Sequence, residues 1–341
     1  MPESEHPATE PRCGERPGPE DFLAAAALAA RHWGFEPASM EILSISENVV
    51  CQAALPDGRR VVVRLHRPGY NTLDELRSEV QWVESLAASG VPVSRPVPAL
   101  DGSHYVPVEV GGEQRFVGVV DWVDGQPLES VTDLDPDLVI EHYGQIGELA
   151  ARIRQHSTVW EPPTGFVRRR WDADGLVGDD PLWGRFWEVE GLSGSQLAVF
   201  VAARAALHRD LSAQPTGIDR FGLIHADLHL RNLMADGERL TVIDFDDAGF
   251  GWYAYELAVA LHHALDEPWY GEAREELFTG YRRRQRLAED EVQLVDAFLC
   301  VRSLLVVAWL AARPELGMHA HLELVAGTAE TMAKAYLDGG S

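Results

Sequence analysis

One residue type is almost missing from this chain of 341 residues: of its 29 basic side chains, only Lys334 is a lysine. Any position that calls for a flexible ammonium must therefore be filled by arginine, whose guanidinium is a larger, planar fork. Cysteine is scarce too. Cys13, Cys51 and Cys300 are scattered and odd in number, which excludes a disulfide framework or a cysteine metal knot and leaves small incidental thiols. Positive charge is in deficit, with a net charge of −25 and a pI near 4.8. Nucleic acid is thereby excluded as a partner, because phosphate backbones need a basic face. A cationic small substrate is compatible, and so is a charge that serves solubility alone. No apolar run approaches the roughly 18 residues of a membrane helix. The opening MPESEHPATEPRCGERPGPE has neither the basic start nor the apolar core of a secretory signal. The expectation is a cytoplasmic protein without a membrane partner. An apolar fraction of 46% with 24% charged residues places the chain among globular proteins and not disordered ones.

The patterning divides the rest. Residues 1–19 read as a disordered tail, 20–123 as an N-terminal lobe and 124–341 as a helical lobe. A helix is expected over Glu20–Phe35, stopped by Gly34. Strands follow at Met40–Ile45, Val49–Leu55 and Arg60–Leu65, the last two joined at Asp57-Gly58, a strong hairpin signal. Thr72–Ala88 has helical spacing, and Ser103–Val110 and Gln114–Trp122 read as two more strands. After Val123-Asp124-Gly125-Gln126-Pro127 the period becomes helical over Leu138–His156, Leu192–Ala213, Tyr253–Asp266, Arg274–Arg286 and Asp290–Arg313. The fold class is α+β, with a small β-rich lobe followed by a larger, mainly helical one.

One strand pair interrupts the helices, and it carries the chemistry. An apolar strand, Gly222–Ile224, should deliver a polar loop, His225-Ala226-Asp227-Leu228-His229-Leu230-Arg231-Asn232. A hairpin starts directly after Asn232, turns at Ala235–Glu238 and ends directly before Ile243-Asp244-Phe245-Asp246-Asp247. Antiparallel pairing returns the chain to its starting point, so Asn232 and Asp244 should emerge side by side. With Asp227 on the same loop, three oxygen-bearing side chains converge. Phosphoryl transfer needs such a set: one carboxylate to orient or accept the proton of the attacking hydroxyl, and an amide oxygen with a second carboxylate to hold Mg2+ against a triphosphate. A loop and hairpin with merely solvated acids is the bland alternative.

On these residues the sequence resembles the aminoglycoside phosphotransferase and choline kinase superfamily, relatives of the protein kinases. It is nearest in look to type II homoserine kinases and bacterial stress-response Ser/Thr kinases. The family's His-Gly-Asp-x-His-x-x-Asn is matched from His225 to Asn232, with Ala226 in place of the usual glycine. The resemblance runs from about Glu20 to Lys334 and implies a bilobal protein-kinase-like fold using ATP and Mg2+. By it Asp227 is the catalytic base, and Asn232 and Asp244 are metal ligands. His229 either touches the transferred phosphoryl group or is structural. Asp246 and Asp247 bind a second metal ion, face the substrate or cap the next turn. His225 orders the loop from beneath, and Glu256 supports it.

On the nucleotide side the family places a lysine on the third strand, fixed by an acid of the next helix. Here the pair would be Arg64 and Glu79; the alternative for Arg64 is a plain exposed strand residue. No glycine-rich loop is present, and Ser46 and Asn48 occupy its place. The backbone of Val120, Asp121, Trp122 and Val123 would read adenine. Arg231, Tyr253, Arg302 and Asp247 are candidates for the acceptor's surroundings, each with packing as its alternative. The acceptor is a small-molecule hydroxyl (an amino alcohol, sugar or antibiotic-like metabolite) or a Ser/Thr protein or peptide, such as one in peptide natural-product biosynthesis. A non-catalytic pseudokinase is the third reading. The chain is expected as a monomer or homodimer.

Overall fold

The computed structural model describes residues 17–46, 48–132, 136–314 and 319–339. Of the expected tail, residues 1–16 lie outside the described residues, and so do Cys13 and Glu47. The chain forms two compact units, one from residues up to 73 with 96–122, the other from residues 74–95 with 123–341.

In the first unit, α1 (Pro19–Ala30) starts with proline at its first turn, where the missing N–H has no intrahelical partner to lose. The Gly18 amide is taken by the Asp21 carboxylate at 2.8 Å. Phe22, Ala25, Ala26 and Ala29 form its buried face. The helix then tightens over Arg31–Trp33 and ends at Gly34, which stands in the left-handed region at φ 71°. Five antiparallel strands follow: β1 (Ser39–Ile45), β2 (Val49–Ala54), β3 (Arg60–Leu65), β4 (Tyr105–Val110) and β5 (Glu113–Asp121), in the spatial order β1-β2-β3-β5-β4. The pleat sorts β3 strictly. Val61, Val63 and Leu65 enter the core with Cys51, Ala53, Val117 and Val119, which puts Arg60, Val62 and Arg64 on the opposite face.

The second unit contains α2 (Leu73–Ala88), the short strand β6 (Gln126–Pro127), α3 (Leu128–Thr132), α4 (Pro136–Ser157), β7 (Arg170–Trp171), α5 (Ala173–Val177), α6 (Gly194–Ser212), β8 (Phe221–Ile224), β9 (Leu233–Asp236), β10 (Arg239–Val242), β11 (Gly249–Trp252), α7 (Tyr253–His262), α8 (Tyr270–Arg282), α9 (Glu289–Ala311) and α10 (His319–Leu337). Two three-stranded sheets, β10-β9-β6 and β7-β11-β8, carry the loops described below. Helices α4 and α8 pack backbone to backbone. A methyl group at Gly280 would lie 1.8 Å from the Gly144 carbonyl oxygen, so only glycine fits there. The α10 helix buries alanines, Ala326, Ala329 and Ala333, and so small a face leaves a weak apolar period in the sequence.

The expectation that no stretch reaches membrane length is corrected by α9, which is long and apolar enough by composition. Its apolar window is 67% buried inside the protein, so those side chains build the core of the helical unit. A buried ion pair anchors its start. Arg154 of α4 donates to Glu291 at 2.7 Å and to the Tyr281 hydroxyl at 2.9 Å, with both charged side chains 6% exposed. Glu291→Gln leaves that guanidinium buried without its counter-ion. Chemical denaturation should register a loss of about 3–5 kcal/mol; a loss below about 1 kcal/mol would mean that water already reaches the pair.

Candidate active site

Strand β8 runs straight into the loop from His225 to Asn232. Among the described residues, the only non-glycine residues with positive φ are Ala226 and Asp244, both at 64°. One opens this loop and the other follows the hairpin, so the backbone strain of the unit sits on the two segments that flank the site. The strained start is held from α7. Glu256 accepts the N–H of His225 at 2.7 Å and that of Ala226 at 2.8 Å. His225 is fully buried; its Nε2 donates to the Ile243 carbonyl at 3.0 Å while Nδ1 accepts the Asp227 N–H at 3.3 Å. Burial pulls its pKa down, and one donating and one accepting nitrogen describe a neutral ring. It pins the loop to the end of the hairpin, the place foreseen for it.

Ala226 invites a direct test. Ala226→Gly relieves about 1–2 kcal/mol of left-handed strain but loses a buried methyl and adds unfolded-state entropy, together of similar size. Stability should change by less than about 1 kcal/mol. Ala226→Val, β-branched at positive φ in a fully buried position, should cost about 3 kcal/mol in the same thermal melts.

The hairpin geometry is the expected one. Leu233 pairs with Val242, and the Ile243 N–H donates to the Asn232 carbonyl at 2.9 Å, so Asn232 and Asp244 flank its open end. Asn232 Nδ2 donates to the Asp227 carbonyl at 2.9 Å and to Asp227 Oδ2 at 2.8 Å. With its amide nitrogen so engaged, the oxygen of Asn232 is the atom left for a ligand. Asp227 is further held by Arg302 of α9, at 2.5 Å from Oδ1, and by His229 Nε2, at 3.1 Å from Oδ2. Burial alone would push the Asp227 carboxyl up. His229 and Arg302 outweigh it and hold the group well below the usual carboxylate range. The His229 ring also meets His263, with centroids 4.8 Å apart.

The other candidates fall in different surroundings. Asp246 is buried. Asp247 is buried and pairs with Arg169 at 2.9 Å, while its carbonyl accepts the Trp171 indole N–H at 2.8 Å. Arg231 is exposed and pairs with Glu129 at 2.7 Å. Tyr253, a candidate for the acceptor's surroundings with packing as its alternative, is packed. It is 2% exposed, its hydroxyl donates to the Ile218 carbonyl at 3.2 Å, and Arg154 covers its ring at 4.8 Å. Glu79 lies 3.5 Å from Arg168, a residue the sequence did not single out. Arg168 is buried and donates to the carbonyls of Phe245, Asp246 and Ala248 at 3.0, 2.7 and 2.5 Å. It fastens the segment after Asp244, and Glu79 neutralises it. Nothing in a run of three arginines marks the middle of such a clamp.

In the sheet unit, Arg64 is buried on the face away from the core, opposite Val50 of β2 and Gly118 of β5. Asn48 is buried and accepts the Arg67 N–H at 3.0 Å, and the Ser46 N–H donates to the Asn48 carbonyl at 3.0 Å. Val120 and Asp121 end β5. Arg60 lies over the Trp122 ring at 4.3 Å, and Val123 belongs to the helical unit.

Among the described residues no three His, Cys, Asp or Glu side chains gather to hold a metal ion. The oxygen of Asn232 with the carboxylates of Asp244 and Asp246 is a sparse set of hard donors. It suits a Mg2+ ion that completes its shell with water and phosphate oxygens, not a closed all-protein cage. The residues fit the ion.

A β-rich unit, a helical unit and this loop and hairpin define a phosphotransferase of protein-kinase-like architecture acting on hydroxyl groups. The profile of the phosphotransferase enzyme family APH matches residues 41–292, and the chain belongs to that family. Among solved structures it is similar to a microcompartment-associated aminopropanol kinase, with 33% identity and a TM-score of 0.78 over 94% of this chain and 98% of that one. Among curated proteins it is 26% identical over 297 residues to an amicoumacin kinase of Bacillus subtilis (strain 168), covering 83% of each. The amicoumacin kinase hAmiN, solved with AMP-PNP, Ca2+ and Ami, shares the fold at 20% identity, with a TM-score of 0.75 over 89% of this chain and 91% of that one.

Proposed function

We propose that the chain transfers the γ-phosphoryl group of ATP, with Mg2+, to a hydroxyl of a small molecule, an amino alcohol before a sugar or an antibiotic-like metabolite. The observation that carries this reading is the seating of Asp227 on Asn232 at the open end of the hairpin that leads into Asp244. Asp227 accepts the hydrogen of the attacking hydroxyl and turns the oxygen's lone pair toward the phosphorus. Asn232 and Asp244 would hold Mg2+, with Asp246 as a further carboxylate, and the ion would supply charge neutralisation for the phosphate oxygens. His229, hydrogen-bonded to Asp227, presents its ring edge to the transferred group. In the sheet unit Arg64 takes the phosphates as a fork in lysine's place. Ser46 and Asn48 cover them, and the backbone of Val120–Val123 reads the adenine.

Amino alcohols come first because the relative with 33% identity is named an aminopropanol kinase; the bound AMP-PNP of hAmiN supports an adenine nucleotide as donor. A transfer screen with γ-labelled ATP tests the reading across aminopropanol and other amino alcohols, homoserine, sugars and Ser/Thr peptides. Label on amino alcohols is expected. Label on peptides alone would establish a peptide kinase instead, and a chain that binds no Mg·ATP by calorimetry would be no kinase at all.

A further inference from the structure

We propose that Arg302 is a positioning residue that aims the Asp227 carboxylate, and not a residue that binds the acceptor. This rests on the phosphotransfer reading above. An ionised carboxylate offers about four lone-pair sites. At Asp227 three are occupied: Arg302 Nη2 is on Oδ1 at 2.5 Å, while Asn232 Nδ2 at 2.8 Å and His229 Nε2 at 3.1 Å are both on Oδ2. Oδ2 is full. The one remaining site is on Oδ1, beside the guanidinium, and the side chain is 19% exposed, so a hydroxyl can reach it.

Two donors on one oxygen and one on the other fix both the position and the plane of the carboxylate. Without the guanidinium, both remaining contacts pull on Oδ2, and Oδ1 is free to swing about the side-chain torsion. The hydroxyl would then meet a lone pair that points elsewhere. A displacement of about 1 Å at a reacting centre lowers rates on the order of a hundredfold.

Arg302 is itself built to stay still. Its side chain is 5% exposed, its guanidinium lies over the Trp183 ring at 4.3 Å, and the Tyr255 phenol neighbours it on the α7 side. The next residue, Ser303, donates to the Leu299 carbonyl at 2.9 Å and meets His262 Nε2 at 3.2 Å. An acceptor would have to displace these neighbours to touch the guanidinium. The arrangement passes the rigidity of α9 to Oδ1.

The test compares wild type, Arg302→Met, Arg302→Lys, Asp227→Asn and the Asp227→Asn/Arg302→Met double variant, by kinetics on an acceptor found in the screen and by crystallography. Arg302→Met should lower kcat about a hundredfold, with both KM values within about threefold. Arg302→Lys, which restores one donor, should recover about tenfold of that loss, and it keeps the question open to test should the methionine variant fold poorly. In the Asp227→Asn background the same change should lower kcat by less than about twofold, because the proton-accepting carboxylate that Arg302 aims is already gone. In crystals of Arg302→Met the plane of the Asp227 carboxylate should be turned, with Oδ1 displaced from its wild-type position while Oδ2 stays on Asn232. A raised acceptor KM with kcat kept, losses that multiply in the double variant, or an unmoved carboxylate would each overturn the proposal. A wild-type chain that phosphorylates nothing would remove the function proposed above, and the crystallographic comparison would still decide about Arg302.

Discussion

Asp227→Asn should lower kcat by about 10²–10⁴-fold, the range of a positioned proton acceptor, while Mg·ATP affinity stays within about twofold of wild type. The substitution keeps the shape of the side chain and changes its hydrogen-bond grammar. One oxygen remains for Arg302, but the new amide nitrogen faces Asn232 Nδ2 and His229 Nε2, which already donate to this position at 2.8 and 3.1 Å. Donor then meets donor, and the hydroxyl loses its acceptor. The residues proposed to hold the nucleotide, Arg64, Ser46, Asn48 and the Val120–Val123 backbone, are untouched. Steady-state kinetics combined with calorimetry separates the two quantities; unchanged turnover would sink Asp227 as the acceptor of the proton.

Glu256→Ala should have the largest effect on stability, about 4 kcal/mol. It strands the N–H groups of His225 and Ala226 in a site where Glu256 is 2% exposed, and each unsatisfied buried donor costs about 1–3 kcal/mol. Glu256→Gln should be milder, since one oxygen survives, and its effect should depend on pH. Burial pushes the Glu256 carboxyl up to about 7, against the two backbone N–H bonds that favour the ionised form. A folded pKa above the ordinary 4.5 means that the folded state binds the proton more tightly than the unfolded chain. The stabilisation is complete below pH 4.5 and fades as pH rises through 7. Glutamine does not titrate, so the stability of the variant relative to wild type should rise between about pH 4.5 and 8, by roughly 2–3 kcal/mol. Urea melts at both ends of that window check it, and a gap that stays constant would show that Glu256 keeps an ordinary pKa in the fold.

What could be read ahead of the structure follows the range of the interactions. The strands of the sheet unit were legible within a residue or two, because alternation and an Asp-Gly turn are local signals. So was the return of Asp244 beside Asn232, since a hairpin is the shortest way to bring distant residues together. Arg302 was legible only as a candidate for the acceptor's surroundings, with packing as its alternative. Its place on Asp227 depends on packing across 75 residues of sequence. Arg168 was invisible for the same reason: three neighbouring arginines look alike until burial selects one. Of the β7-β11-β8 sheet only β8 was legible, as the apolar strand Gly222–Ile224; β7 and β11, two and four residues long, carry no period of their own. For Tyr253 the sequence left packing and the acceptor's surroundings both open, because a tyrosine close to a loop in sequence can still turn its hydroxyl inward, here to the Ile218 carbonyl.

Arg64 in the phosphate-binding place proposed above would also determine which chemical tools can find this enzyme. Amine-reactive nucleotide analogues work by acylating the ammonium that normally sits against the phosphates. With Arg64 in that position, as proposed, the site would offer a guanidinium, which does not acylate under the same mild conditions. Apart from the chain's own amino terminus, the only primary amine belongs to Lys334, near the end of α10 and paired with Glu330 at 2.6 Å. In a profiling experiment built on lysine capture, a fully active enzyme of this sequence would leave no active-site label. Dicarbonyl reagents, which condense with guanidinium groups, are the matching choice.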